Sequence, residues 1–515
     1  MPGSDLLFLN DDVLRSLLEL LLHAGGLNEL SQTSRQVRAA CMPILFRQCF
    51  RPMQVRLPEP QMFLPYSLWP HVQILVIRDD CFEKHYYDTL RFTDNCLLCG
   101  VLSGSLVERW LQRMPRLRSV TLYHREEELH GMPWSTLRAV LSLPQIREFK
   151  LHQLHFCPAL RPSDELRMDS VASLTSFEYL LRKPAESYIA EPRFTNDANY
   201  SDERRALSTA LGALQKTLEV LSLPTESVPM KVFSQHPWPH LRRLVIRGKP
   251  SEDLVSSVLS SVSPIPALKS LVLKFSATRT TRPGALWRGD SMAVFPCPAL
   301  EELAITYPDP ADQLFDHLPL TLHTLSLCCW RHLYHEFLTP YRSWVPSDGP
   351  RFSLLLSSSQ MRGILNRSRT PGLVQLTLEY RADDREEELL HHVAQAYPRL
   401  TYLKLIRFRP RGVDTVQVER MAQALSPLAH IHELKIHLDL PEMPLPGAFM
   451  MRSASGGYSL SAMERFRPIV DETVNVFARE LSSSVKFISM ITPTASCSTW
   501  ARFRVVDGRA QQQEE

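Results

Sequence analysis

One six-residue pattern, L-x-x-L-x-L, recurs down this chain and limits what it can fold into. It reads "VQILVI" (Val72 to Ile77), "LRSVTL" (Leu117 to Leu122), "IREFKL" (Ile146 to Leu151), "LEVLSL" (Leu218 to Leu223), "LRRLVI" (Leu241 to Ile246) and "LKSLVL" (Leu268 to Leu273). It returns as "LEELAI" (Leu300 to Ile305), "LHTLSL" (Leu322 to Leu327), "LVQLTL" (Leu373 to Leu378), "LTYLKL" (Leu400 to Leu405) and "IHELKI" (Ile431 to Ile436). Alternation at the fourth and sixth positions sends those side chains to one face of a short strand. Between the segments lie helical patterns such as "PSEDLVSSVLSSV" (Pro250 to Val262), where Ser251 caps and Leu254, Val258 and Val262 share a face. Strand and helix alternate, so the units are expected to stack into a parallel sheet with helices outside, in an arc or horseshoe.

Start-to-start spacings of mostly 22 to 32 residues lie near the roughly 20–29 of leucine-rich repeats, which these segments resemble. The family places Asn or Cys three residues after the last strand position. Here that slot holds Arg125, Glu226, Lys249, Ser276, Pro308, Trp330, Arg381, Phe408 and Asp439, so the repeats are of the irregular kind. A solenoid of that kind is preferred over a doubly wound sheet. Longer gaps hide degenerate units, of which "LTSFEYLL" (Leu174 to Leu181) is one candidate. After a glycine-serine stretch, a helix is expected from Ser461 to Leu481, followed by the strand-like runs "VKFISMI" and "WARFRVV". This atypical end reads as the cap that a repeat array requires, with "RAQQQEE" as a frayed tail.

The first fifty residues stand apart. From Val13 to Leu22 only Arg15, Ser16 and Glu19 are polar, more apolar residue than one buried stripe can use. A helix is expected from about Asp11 to Leu22, with Asn10 as N-cap and Asp11 and Asp12 in the favourable first turn. Gly25 and Gly26 stop it; a second helix is expected from Leu27 to Ala40 and a third from Met42 or Pro43. A unit of about 45 residues is too small to bury so many leucines alone.

This segment resembles the F-box motif. The family's order of Leu-Pro, acidic residue, apolar helix, break, basic second helix and Pro-x-Leu-aromatic-Arg ending is matched by Leu9-Asn10, Asp11-Asp12, Val13 to Leu22, "LNELSQTSRQVR" (Leu27 to Arg38) and "PILFRQ" (Pro43 to Gln48). Asn10 stands where the family has proline, and Thr33-Ser34 where it has Val-Cys. With the repeats behind it, the chain looks most like fungal F-box proteins with irregular leucine-rich repeats. The resemblance implies a substrate-recognition subunit of a Skp-cullin-F-box ubiquitin ligase, with a Skp-type adaptor and through it a cullin as partners. It assigns adaptor binding to Leu9, Asn10, Val13, Leu14, Leu17, Leu18, Leu27, Leu30, Thr33 and Ser34.

Other chemistry finds little support. A net charge of +3 gives no nucleic-acid footprint, and basic clusters are balanced by runs such as "DDREEE" (Asp383 to Glu388). No apolar run reaches the ~18 residues of a membrane span. The first residues do not look like a secretory signal, and ten irregularly spaced cysteines suggest reduced thiols, so a cytoplasmic or nuclear location is expected. Glycine is scarce, 18 against 39 prolines, and no phosphate-cradling glycine motif occurs. Cys96-x-x-Cys99 lacks a second ligand pair. His332-x-x-His335-Glu336 has its glutamate in the wrong place for a metal helix, and His391-His392 and "LHQLH" (Leu151 to His155) read as exposed positions. No catalytic residue, cofactor or metal is expected.

The strand positions between the apolar ones are expected to form a concave substrate face: Arg118, Arg242, Arg243, Lys269, Glu301, Glu302, His323, Gln375, Tyr402, Lys404 and Glu433. Its mixed charge suits an unknown protein substrate better than a polyanion. The expected α/β organisation is a three-helix F-box-like unit at 5–50, a connector at 51–70, the solenoid at 71–440, a loop at 441–460, an α+β cap at 461–508 and a disordered tail at 509–515. A leucine-rich-repeat scaffold without a ligase role is the alternative, and an enzyme with its site in the loops a more distant one.

Overall fold

All eleven L-x-x-L-x-L segments become strands of parallel sheets. The structure, a computed structural model, describes residues 9–53, 64–80, 98, 102, 104–124, 131–161, 164–168, 170–181, 200–276, 284–287, 295–328, 355–410, 412–413, 415–443, 460–481, 483–493 and 498–513. It divides into two units, Met1–Leu241 and Arg242–Glu515.

The first unit begins with helices α1 (Asp11–His23), α2 (Leu27–Leu30) and α3 (Arg35–Leu45). Its sheet is formed by β1 (Gln48–Met53), β2 (Ile74–Asp79), β3 (Ser119–His124), β5 (Glu148–His152), β7 (Ser176–Leu180) and β8 (Val220–Pro224), in that order and all parallel. A small parallel pair, β4 (Gly131–Met132) and β6 (His155–Phe156), stands beside it. Helices α4 (Gly104–Gln112), α5 (Trp134–Leu141), α6 (Ser201–Leu214) and α7 (Lys231–Gln235) fill the connections.

The second unit, taken by itself, has the same construction. Strands β9 (Arg243–Gly248), β10 (Ser270–Phe275), β11 (Glu302–Thr306), β12 (Thr324–Cys328), β13 (Gln375–Arg381), β14 (Tyr402–Phe408), β15 (Glu433–Leu438) and β16 (Phe487–Pro493) are parallel neighbours in sequence order. Helices α8 (Glu252–Val262), α9 (Ser358–Arg367), α10 (Glu386–Ala396) and α11 (Val418–Leu425) lie between them, and α12 (Leu460–Glu480) packs on α11 and β16. The sheet then reverses into antiparallel β17 (Ser498–Val506) and β18 (Arg509–Gln512). This is a leucine-rich-repeat-like α/β solenoid, stacked from strand-and-connection units.

The reason is visible in each rung. First, fourth and sixth positions are buried, as at Leu241, Leu244 and Ile246 or Leu373, Leu376 and Leu378, all 0% exposed. The backbone fixes the stacking. One carbonyl at the second position of a rung accepts two N–H groups from the next: Arg118 and Ser119 donate to Gln73 O at 2.8 and 3.0 Å, Glu301 and Glu302 to Lys269 O at 2.7 and 2.9 Å, and Lys486 and Phe487 to His432 O at 2.9 and 3.1 Å. Both lone pairs of that oxygen are thereby used. Without an asparagine ladder, side chains close the turns individually. Thr306 Oγ1 donates to Phe275 O at 2.6 Å, and the buried Asp312 carboxylate accepts from the amides of Leu286, Trp287 and Leu314 at 2.7, 3.1 and 2.9 Å.

Three expectations are corrected. The first strand lies inside the segment assigned to the helical unit and its connector: Arg47 O accepts from Gln73 and Ile74 N at 2.8 and 2.9 Å, the same double bond as in later rungs, so "FRQCFR" is a rung with Cys49 and Arg51 in leucine positions. The second helix is not continuous. It breaks at Ser31 to Ser34, where Ser34 Oγ accepts from Val37 N at 3.2 Å and starts α3, and Pro43 lies within α3 rather than opening a third helix of its own. The candidate unit "LTSFEYLL" is a rung as expected, an aromatic one with Phe177 and Tyr179 buried in place of leucines. The tail is not frayed from residue 509: β18 pairs with β17, and Ala510 N donates to Asn475 Oδ1 at 2.9 Å.

Candidate functional site

In the first unit the surface of interest is α1. Asn10 Oδ1 accepts from Asp12 N at 2.9 Å and starts the helix. It ends at Gly25, whose φ of +80° is a left-handed conformation that glycine adopts without strain; Gly26 N then reaches back to Leu21 O at 2.9 Å. Leu14, Leu18 and Leu21 point inward and pack with Leu27, Leu30, Val37, Cys41 and Ile44. On the other side Val13 and Leu20 are 53% and 67% exposed, with half-buried Leu17 between them at i, i+4, i+7 spacing and Leu9, 41% exposed, ahead of the helix.

The ten residues assigned to the adaptor therefore divide. Leu9, Asn10, Val13, Thr33 and Ser34 are exposed, and Leu17 is half-buried. Leu18 and Leu27, at 2% and 1% exposure, are the centre of the unit's own core, and Leu14 and Leu30 pack against them; these four hold the three helices together and do not face outward. Thr33 and Ser34 serve the turn, Thr33 Oγ1 donating to Leu30 O at 2.8 Å. Leu20 is the most exposed apolar side chain of α1 and was not assigned. Its position seven residues after Val13 is the sequence signal that finds it.

In the second unit, the strand positions facing away from the leucine core carry most of the expected substrate residues. Arg242 and Gln375 are exposed. Several of the others pair across rungs: Arg243 Nη1 meets Glu302 Oε2 at 2.8 Å while Ser270 Oγ donates to the same oxygen at 2.6 Å, and Glu301 sits between Lys269 at 2.7 Å and His323 at 3.5 Å. The Lys269 hydrogen bond, above all, holds the Glu301 carboxyl below its usual range. Lys404 does not face open solvent as expected. It is 6% exposed, its Nζ 5.1 Å from the Trp500 ring, because β17 returns antiparallel and brings Trp500 over this row. Lys435 Nζ is 5.8 Å from the same ring and 3.8 Å from Glu433, and Tyr402 and Glu433 are half-buried beside it. Arg118 belongs to the first unit, is exposed, and donates from Nη1 to Gln145 O at 3.3 Å.

The histidines of "LHQLH" are not both exposed. His152 is 3.4 Å from Glu178, and His155 is 2% exposed with Nδ1 2.8 Å from Glu203. The Tyr179 hydroxyl donates to the other oxygen of Glu203, which is fully buried at the first turn of α6. Burial and the adjacent carboxylate push the Tyr179 hydroxyl well above its ordinary range. This cluster ties β6, β7 and α6 together and went unnoticed in the sequence because its members lie 24 and 48 residues apart. Cys41, Cys49, Cys157, Cys297 and Cys328 are buried; burial pushes the thiols of Cys157 and Cys297 up to about 12. Among the described residues no group of three or more His, Cys, Asp or Glu is placed to hold a metal, and no helix is long and apolar enough to cross a membrane. Cys96, Cys99, His332, His335 and Glu336 lie outside the described residues.

No protein-family model matches the sequence, and no curated protein does. Among solved structures the chain is similar to one of the Rad7 and Elc1 complex in yeast, at 13% identity and TM-score 0.36 over 84% of each chain. It is also similar to the leucine-rich repeat-containing protein LegL7 from Legionella pneumophila, at 9% identity and TM-score 0.30 over 88% of this chain and 92% of the other. A third is the circular leucine-rich-repeat protein CroV588, at 11% identity and TM-score 0.25 over 77% and 44%. The repeat assignment rests on register and rung burial in the chain itself.

Proposed function

We propose that this repeat scaffold is the substrate-recognition subunit of a Skp-cullin-F-box ubiquitin ligase, its α1 docking a Skp-type adaptor and its repeats holding a protein substrate. The observation that carries this reading is the outward stripe of Leu9, Val13, Leu17 and Leu20 on a helix whose other leucines already close a core. At ~1.5–3 kcal/mol per fully buried side chain, covering Leu9, Val13 and Leu20 from their present exposure gains roughly 3 kcal/mol gross. A helix laid against a partner helix is the ordinary way to collect it. In this reading the chain performs no bond chemistry, works in the cytosol or nucleus, and accelerates ubiquitin transfer by proximity.

The test is co-expression with a recombinant Skp-type adaptor. Wild type is expected to co-purify with the adaptor, and Val13→Asp with Leu20→Asp to lose it while keeping the wild-type unfolding midpoint, since both side chains are exposed. Wild-type chain that retains no adaptor sinks the reading. Leu14 and Leu18 are unsuitable for this test because charging them opens the helical core.

A repeat scaffold without a ligase role is the second reading. It is favoured by the continuity of α3 with β1 through the Arg47 carbonyl, which gives the three helices a task as the end cover of the rungs.

A further inference from the structure

We draw no further inference here: the strongest candidate, the patch of cations and aromatic rings where β17 returns along β16, carries nothing, because Lys435 and Arg502 already lie over the chain's own Trp500 and Phe487 rings, at 5.8 and 3.8 Å, and nothing in the structure shows what covers them.

Discussion

The leucines of α1 and those of the rungs are the same residue in opposite circumstances. Leu241, Leu244, Leu271, Leu376 and Leu403 are 0% exposed, whereas Leu9, Leu20 and Leu22 stand 41%, 67% and 43% open. Each rung is covered by its own helix or connection and by its neighbours. The three-helix unit buries three apolar residues, Leu18, Leu27 and Cys41, and has apolar surface left over. A chain that closes one region so completely does not leave the other open for lack of leucine. The difference separates residues that the fold buries from residues that it leaves exposed.

The sharpest way to break that comparison is a pair of truncations. Leu376→Ala is expected to destabilise the second unit by roughly 2–5 kcal/mol, and Leu20→Ala to change stability by less than about 0.5 kcal/mol. Urea unfolding of the two variants measures both, and comparable losses would mean that the α1 stripe is covered by the chain itself.

A second, somewhat smaller effect belongs to the rung region. His437 on β15 is buried, its ring centroid 5.5 Å from that of Phe408, and burial pushes its pKa from 6.5 down to about 4. The folded state therefore holds the neutral imidazole, while the unfolded chain protonates first. Stability from this group is fully present above pH 6.5 and is lost as the pH falls through about 4, a change of roughly 3 kcal/mol at most. Urea midpoints measured across that window are expected to fall less steeply in His437→Gln than in wild type.

The smallest effect returns to the helical unit. Asn10→Ala removes the N-cap of α1 and is expected to cost about 1 kcal/mol, whereas Asn10→Pro, the residue that F-box proteins place there, costs less because the side-chain cap is exchanged for a preset backbone angle. Helix content by circular dichroism on a fragment is unsuitable here; thermal unfolding of the whole chain compares the two.

Reading these residues in sequence had uneven success, for physical reasons. The rungs were legible because period-two alternation with leucine at three of six positions has few other meanings, and β1 was not because Cys49 and Arg51 break the pattern while the backbone keeps it. The α1 helix was legible, but its phase was not: with seven apolar residues in ten, any face reads as buried, and Leu18 and Leu27 were assigned to a partner when they are core. The strand face was legible in position and not in exposure. Nothing near Lys404 in the chain announces that Trp500 will return over it, and the Arg243–Glu302 pair spans 59 residues.

The carbonyl at the second position of a rung, shared by two N–H groups of the next, has one more consequence. Because the backbone itself sets the spacing between neighbours, a rung can be added or deleted as a whole without renegotiating the packing of the rest, provided its three apolar positions arrive with it. The exposed positions are then free to vary independently of the stacking. Chains built this way can change what they hold by lengthening or shortening, and can change it again by exchanging surface residues, without changing how they fold.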